Sequence, residues 1–156
     1  SHELCSPMYL ENNIIPKLTE GSTNDKIPKI VVSGLTVVDN DENNAKRIAA
    51  GTVAFYASVK TYDEFFTSHG FGTEAETIRK LFRERKISDM IDSVPDEMVD
   101  TFAIAGNKDF VKESIERYDG LADEIKLTPP THYVNEEQTR FAQKSILELV
   151  KDGEVN

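Results

Sequence analysis

The apolar residues of the chain fall into two spacings. Over Lys29 to Val38, KIVVSGLTVV, they run almost without a break and are mostly β-branched. That pattern predicts a strand at about 29–38, buried on both faces as in a parallel sheet. Ser33-Gly34 at its centre marks a bulge or a close backbone approach. A second strand, about 123–128, is built around Ile125 and Leu127 and stops at Pro129-Pro130. The remaining apolar positions recur at helical spacing. Ser6-Pro7 caps a helix to about Glu20, disturbed at Pro16 and ended by Gly21. Asp39 with Glu42 reads as a variant capping box for a long helix to about Val59, with Ala45, Ile48, Ala49, Thr52, Val53 and Tyr56 as its stripe. Tyr62, Phe65 and Phe66 fall on a short helical turn, and Gly70 and Gly72 bracket a loop. Thr73 with Glu76 reads as the next capping box, ahead of Ile78, Leu81 and Phe82. Pro95 opens a helix bearing Met98, Val99 and Phe102. Asn107 caps another that Gly120 closes, and Asn135 with Gln138 starts the last, whose stripe is Phe141, Ala142, Ile146, Leu149 and Val150. Ala103–Gly106, small and uncharged, reads as a bridge between two helices.

The order is α, β, a long helical stretch, α, β, α. There is no repeat and no low-complexity segment, so residues 1–156 read as one partial domain. Two buried strands separated by helices imply βα units with right-handed crossovers. Two parallel strands alone leave both edges open. The pattern therefore asks for more strands, from another chain or from the rest of a larger α/β protein. The chain opens Ser1-His2-Glu3 with no initiator Met, which fits a processed product, a fragment or a short gene product.

Composition narrows the partners. Twenty-eight acidic side chains against 18 basic ones give a net charge of −10. Nucleic acid and anionic membrane surfaces both attract positive charge, so neither is an expected partner. The one cysteine, Cys5, cannot form an intramolecular disulfide, which fits a reducing, cytoplasmic setting. No apolar run reaches the length of a membrane span, and no signal peptide is visible.

The segments YASVKTYDEFFTSHGF and PDEMVDTFAIAG and the closing strand EIKLTPP, in this order and spacing, resemble the luciferase-like monooxygenase superfamily. The likeness is greatest to its deazaflavin (coenzyme F-420)-dependent branch, which includes methylenetetrahydromethanopterin reductases. SPMYLENNIIPKL resembles the helix before the penultimate barrel strand of that family. The resemblance implies the C-terminal portion of a TIM (β/α)8 barrel, which needs about 250 residues. It makes 29–38 and 124–128 barrel strands seven and eight, with a helical excursion at about 40–106 between them. It implies coenzyme F-420 or FMN as cofactor of the parent protein. The family's ring- and phosphate-holding residues come largely from earlier strands, so no cofactor is expected on this chain alone.

Candidate chemistry follows from the same reading. In a TIM barrel the site lies at the C-terminal ends of the strands. Asp39 and Asn40 follow the first strand; Thr128, His132 and Tyr133 follow the second. The ordinary reading of Asp39 is a helix cap, and that of Tyr133 is loop packing. His2, His69 and His132 match no metal-ligand spacing. Cys5 with His2 lacks the third group of a nucleophilic triad, but the resemblance places the His2–Ser6 loop toward the cofactor end. The candidate cofactor- or substrate-binding residues are thus His2, Cys5, Asp39, Thr128 and His132; no catalytic residue and no metal site is assigned. Gly106-Asn107 opens a helix that could hold an anion, but the phosphate-loop fingerprints are absent. The pairs Asp63-Glu64, Asp96-Glu97 and Glu136-Glu137 read as solvated helix positions.

Three functional readings result. In the first, the chain is part of an oxidoreductase that moves a hydride between reduced coenzyme F-420 and a small organic substrate, or of an FMN-dependent monooxygenase, and is inactive alone. In the second, it is a non-catalytic half-barrel that forms a homo-oligomer or pairs with the missing barrel half. In the third, it is an unrelated small α/β binding domain.

Overall fold

The computed structural model describes residues 3–22 and 28–151. Three parallel strands form its sheet: β1 (Val31–Val38), β2 (Ala103–Gly106) and β3 (Glu124–Thr128), in the order β2-β1-β3. Both strands expected from the sequence are present, and the third corrects it. Ala103–Gly106 is not a bridge between helices but a strand, in register with β1 from Leu35↔Ala103 to Val38↔Gly106. Alanine and glycine have little strand preference of their own. Four such residues carry no readable period, so pairing and burial alone make this segment a strand. β1 and β3 are therefore not consecutive in the chain, although they are neighbours in the sheet.

The helices follow their caps. At the N-terminus, α1 (Pro7–Tyr9) and α2 (Ile15–Gly21) flank a π-helical turn, Leu10–Ile14. Pro16 has no N–H for the ladder and crowds the preceding turn. The widened turn just before it, closed by Ile15 N–H to Leu10 O, accommodates that crowding. The long helix α3 (Glu42–Ser58) is capped by Asp41, whose side chain accepts from Asn43 N and Asn44 N. Asp39 is thus not the cap. Next come a 3-10 turn (Lys60–Tyr62), α4 (Asp63–Ser68), α5 (Gly72–Arg83), α6 (Ile87–Asp92) and α7 (Asp96–Phe102). The expected Thr73/Glu76 box does not form, because Gly70 turns at φ +87° and helical geometry already begins at Gly72. Asn107 caps α8 (Lys108–Glu116). Ahead of α9 (Glu136–Lys151), Asn135 and Gln138 exchange hydrogen bonds of 2.8 and 2.9 Å, a reciprocal capping box. The buried stripe of α9 is narrower than expected: Ala142, Ile146 and Leu149 are buried, whereas Phe141 and Val150 are exposed.

The sheet is covered on both faces. Leu35, Val37, Ala103 and Ala105 pack with α3 and α7 on one side. Val32, Val38 and Ile104 pack with Val111 of α8 and Ile146 and Leu149 of α9 on the other. Crossover handedness explains this. The β1-to-β2 connection moves one way along the sheet and β2-to-β3 moves back past β1. Two right-handed crossovers in opposite directions put their helices on opposite faces. Gly34 sits at the crowded centre, where a Cβ would lie 2.8 Å from Ile104 Cδ1 and 3.3 Å from Ile125 Cδ1. The expected close approach is therefore real. Glu3 and Leu4 run antiparallel to β1 at Gly34 and Leu35, the level at which β2 begins.

Candidate functional site

The C-terminal ends of β1 and β2 carry a rim of helix caps. Asp39 N–H donates to Gly106 O (2.9 Å), tying the two strand ends together. Its carboxylate accepts from Asp41 N (3.0 Å) and Asn44 Nδ2 (2.7 Å). Asn107 caps α8 through Oδ1 and donates Nδ2–H to Glu42 Oε1 at 2.8 Å. The helix start considered for an anion thus already has Phe110 N–H bonded to Asn107 Oδ1 and a glutamate bonded to its cap residue. Every group of this rim serves a helix start or a strand end.

Thr128 and His132 lie elsewhere. β3 ends level with Leu35, four residues below Asp39 along β1, a rise of roughly 13 Å. From there the chain turns onto α3. His132 N–H donates to Thr52 Oγ1 (3.4 Å), and its ring stacks on Phe55 at 3.7 Å and 11°. Gly51 makes room for this loop, since a Cβ there would lie 2.9 Å from the His132 carbonyl oxygen. Thr128 Oγ1 donates to Lys126 O at 3.3 Å. The structure therefore does not bring Asp39 and His132 together.

It does bring His132 to Glu3. Tyr56 Oη donates to Glu3 Oε1 (3.2 Å), and its ring meets the His132 ring edge-on at 6.0 Å. Burial raises the Glu3 pKa above the usual carboxylate range, against the lowering pull of the Tyr56 hydrogen bond and of His132 and Lys126. Burial, with the Glu3 charge and hydrogen bond and Tyr62 behind it, pushes Tyr56 up to about 12. Tyr56 and Glu3 thus form a hydrogen-bonded pair beside the His132 ring, on the α3 flank rather than at the strand ends. Glu3 was not singled out in the sequence, because no local pattern joins it to a tyrosine 53 residues away.

Cys5 is buried, and its carbonyl accepts from Tyr118 Oη at 3.0 Å. Burial pushes that phenol up to about 12. His2 lies outside the described residues. Ser6 Oγ and His69 Nε2 are 2.7 Å apart, with His69 Nδ1 2.7 Å from Phe65 O. A carbonyl only accepts, so Nδ1 carries the proton and Nε2 accepts from Ser6. The pair has nucleophile–base spacing, yet Ser6 is 2 % exposed and its oxygen also caps α1 through Tyr9 N. The pair is structural. Among the described residues no group of His, Cys, Asp and Glu could hold a metal ion, and no helix is long and apolar enough to cross a membrane.

The sequence model of the luciferase-like monooxygenase family matches residues 9–124, most of the chain. The chain belongs to that family. Among solved structures, a coenzyme F-420-dependent tetrahydromethanopterin reductase from Methanopyrus kandleri is similar at 22% identity with a TM-score of 0.61. The similarity covers 77% of this chain and 35% of that one, so the chain spans about a third of the length of the neighbour it matches. The fold is that of a partial luciferase-like barrel. No curated protein matches the sequence.

A flavin-type ring needs a concave apolar slot with a few fixed polar groups. In a barrel, that slot opens at the mouth of the sheet surface facing away from the crossover helices. Here α8 and α9 cover the surface opposite α3, against Val32, Ile104, Ile125 and Leu127. In this luciferase-like chain the strand-end groups Asp39, Glu42 and Asn107 are engaged at helix starts, and the surface where such a slot would open is packed by α8 and α9.

Proposed function

We propose that this chain is the C-terminal part of a coenzyme F-420-dependent oxidoreductase of the luciferase-like family. The whole barrel would move a hydride between the reduced coenzyme and a small organic substrate, and this chain alone would be inactive. One observation carries the reading: the family match spans 9–124, and the similar F-420-dependent reductase is covered over only 35% of its length. The covered sheet surface supports the second half of it, because a ring site needs a mouth that this chain closes with its own helices. The test mixes the purified chain with oxidised deazaflavin coenzyme, alone and with a polypeptide supplying the remaining barrel strands. Dialysis and visible absorbance then measure what is bound. No binding by the chain alone and stoichiometric binding by the reassembled pair are expected. Stoichiometric binding by the chain alone would overturn the inactive-fragment reading. Retention of FMN instead of deazaflavin by the pair would replace the F-420 assignment with the monooxygenase one.

A second reading has its own observation. β2 is an edge strand by order, yet all four of its residues are buried. β3 is the other edge, and its residues are exposed or half-buried. That edge is where a non-catalytic half-barrel would pair with itself.

A further inference from the structure

In a closed (β/α)8 barrel the strands lie side by side in chain order, each followed by a helix of the outer ring. The order found here is β2-β1-β3. β1 and β2 are neighbours, as a barrel requires. β3 is out of place. As the strand after β2, it belongs on the free edge of β2. It sits instead on the other edge of β1, in register from Val31↔Glu124 to Leu35↔Thr128. In a barrel that edge belongs to the strand preceding β1, and among the described residues no strand element precedes β1. β3 fills its position.

The faces agree with the order. Alternation puts Val32, Gly34, Thr36 and Val38 on one face of β1, and the pair Thr36↔Ile104 places Ile104 of β2 with them. A barrel turns this face inward, away from the helix ring. Here it packs with Val111 of α8 and with Ile146 and Leu149 of α9. Thr36 is fully buried, and its hydroxyl turns back to Gly34 O at 2.9 Å. One unit, α8-β3-α9, therefore closes both an edge and a face that a barrel uses otherwise.

The unit is held lightly at its strand. β1 and β2 carry buried residues, whereas every residue of β3 is exposed or half-buried. Beside it Lys29 pairs with Glu124, and Asp123 Oδ2 accepts from Ile30 N at 2.7 Å; both contacts are exposed. Exposed ion pairs contribute little, and segments with few buried contacts open first. The buried polar tie is Tyr118 Oη to Cys5 O at 3.0 Å.

We propose that Lys108 to Lys151 form a self-closing unit of this luciferase-like chain. In the chain alone, β3 substitutes for the strand before β1. When the barrel assembles, β3 leaves that edge for the free edge of β2 and takes α8 and α9 off the inward face. This rests on the parent-barrel reading above and adds the step that uncovers its ring site.

A reversible lock tests it in the whole chain. Val31→Cys/Glu124→Cys puts two exposed thiols opposite each other in the register, while Cys5 is buried. Ser33→Cys/Lys126→Cys repeats the lock with the Lys29–Glu124 pair intact. A short bis-thiosulfonate reagent bridges each pair, and reductant releases it. In the chain alone both bridges should form, with unchanged circular dichroism. The bridged chain is then mixed with a polypeptide supplying the remaining barrel strands and dialysed against oxidised deazaflavin coenzyme. It should retain none, and reductant should restore stoichiometric retention. In the reassembled pair the reagent should no longer join either pair of thiols. Failure of both bridges in the isolated chain would overturn the proposal, because β3 would not lie beside β1. Equal retention by bridged and released chain would overturn it as well and leave the parent-barrel reading standing, since β3 would not have to move. No retention in either state would sink the parent-barrel reading itself, and this proposal with it.

Discussion

Two single residues expose how the core is tuned. His69 is enclosed by the rings of Tyr9, Phe65 and Phe102 and by the Ser6 hydroxyl. Burial lowers its pKa from 6.5, against the raising effect of the bond to Phe65 O. A base with a lowered folded pKa binds fewer protons in the native state than in the unfolded one. Its contribution is fully present above about pH 6.5 and is lost as the pH falls toward the folded value. Denaturant midpoints measured from pH 7.5 down to 5 should therefore fall in wild type, and less steeply in His69→Gln. Parallel curves would show that His69 is not the group responsible. Gly51 makes the second case. Alanine normally favours a helix interior over glycine by about 1 kcal/mol. Here the new methyl would meet the His132 carbonyl oxygen, a backbone atom with little room to yield. Gly51→Ala should destabilise by about 1–2 kcal/mol in spite of its propensity, and should lift the His132 ring off Phe55, visible as a shift of its proton resonances. A stabilised variant with unmoved resonances would show that the loop yields freely. Neither partner was legible in the sequence: His69 and Ser6 are 63 residues apart, and Gly51 looks like any helical glycine.

At the scale of elements, most of the chain was legible, because helix starts and buried strands are written locally. Asn107, the Asn135–Gln138 box and the apolar run of β1 each announce their element within a few residues. The misses share one cause: a neighbouring residue or a distant strand decided the matter. Asp39 has the spacing of a capping box with Glu42, yet pairing of Asp39 N–H with Gly106 O keeps it in the strand ladder, and the cap passes to Asp41. The two roles differ in energy. Asp41→Ala removes the acceptor for two N–H groups of the first turn of α3 and should cost about 1 kcal/mol. Asp39→Ala leaves that cap in place and should cost less than half as much. Chemical denaturation of the two variants compares them directly. Equal losses would mean that Asp39 supports the helix start as strongly as the cap itself. β2 was missed for the same reason at longer range. Nothing in Ala-Ile-Ala-Gly favours a strand until β1 is beside it.

For the whole molecule, the strand order sets a hierarchy of stability that the sequence could not reveal, since order depends on which edge of β1 each later strand finds. β1 is paired on both sides and covered on both faces. β2 is an edge in order but buried in fact. β3 pairs with β1 only through Val31 to Leu35, and its outer side faces solvent among the described residues. Local opening is easiest where few buried contacts must break. Amide exchange should therefore be slowest in β1 and β2, governed by global unfolding, and faster in β3 and α9. Exchange resolved to single amides would measure it. Protection of β3 equal to that of β1 would mean that its edge is already satisfied within one chain, and the stability order drawn from the sheet topology would be wrong.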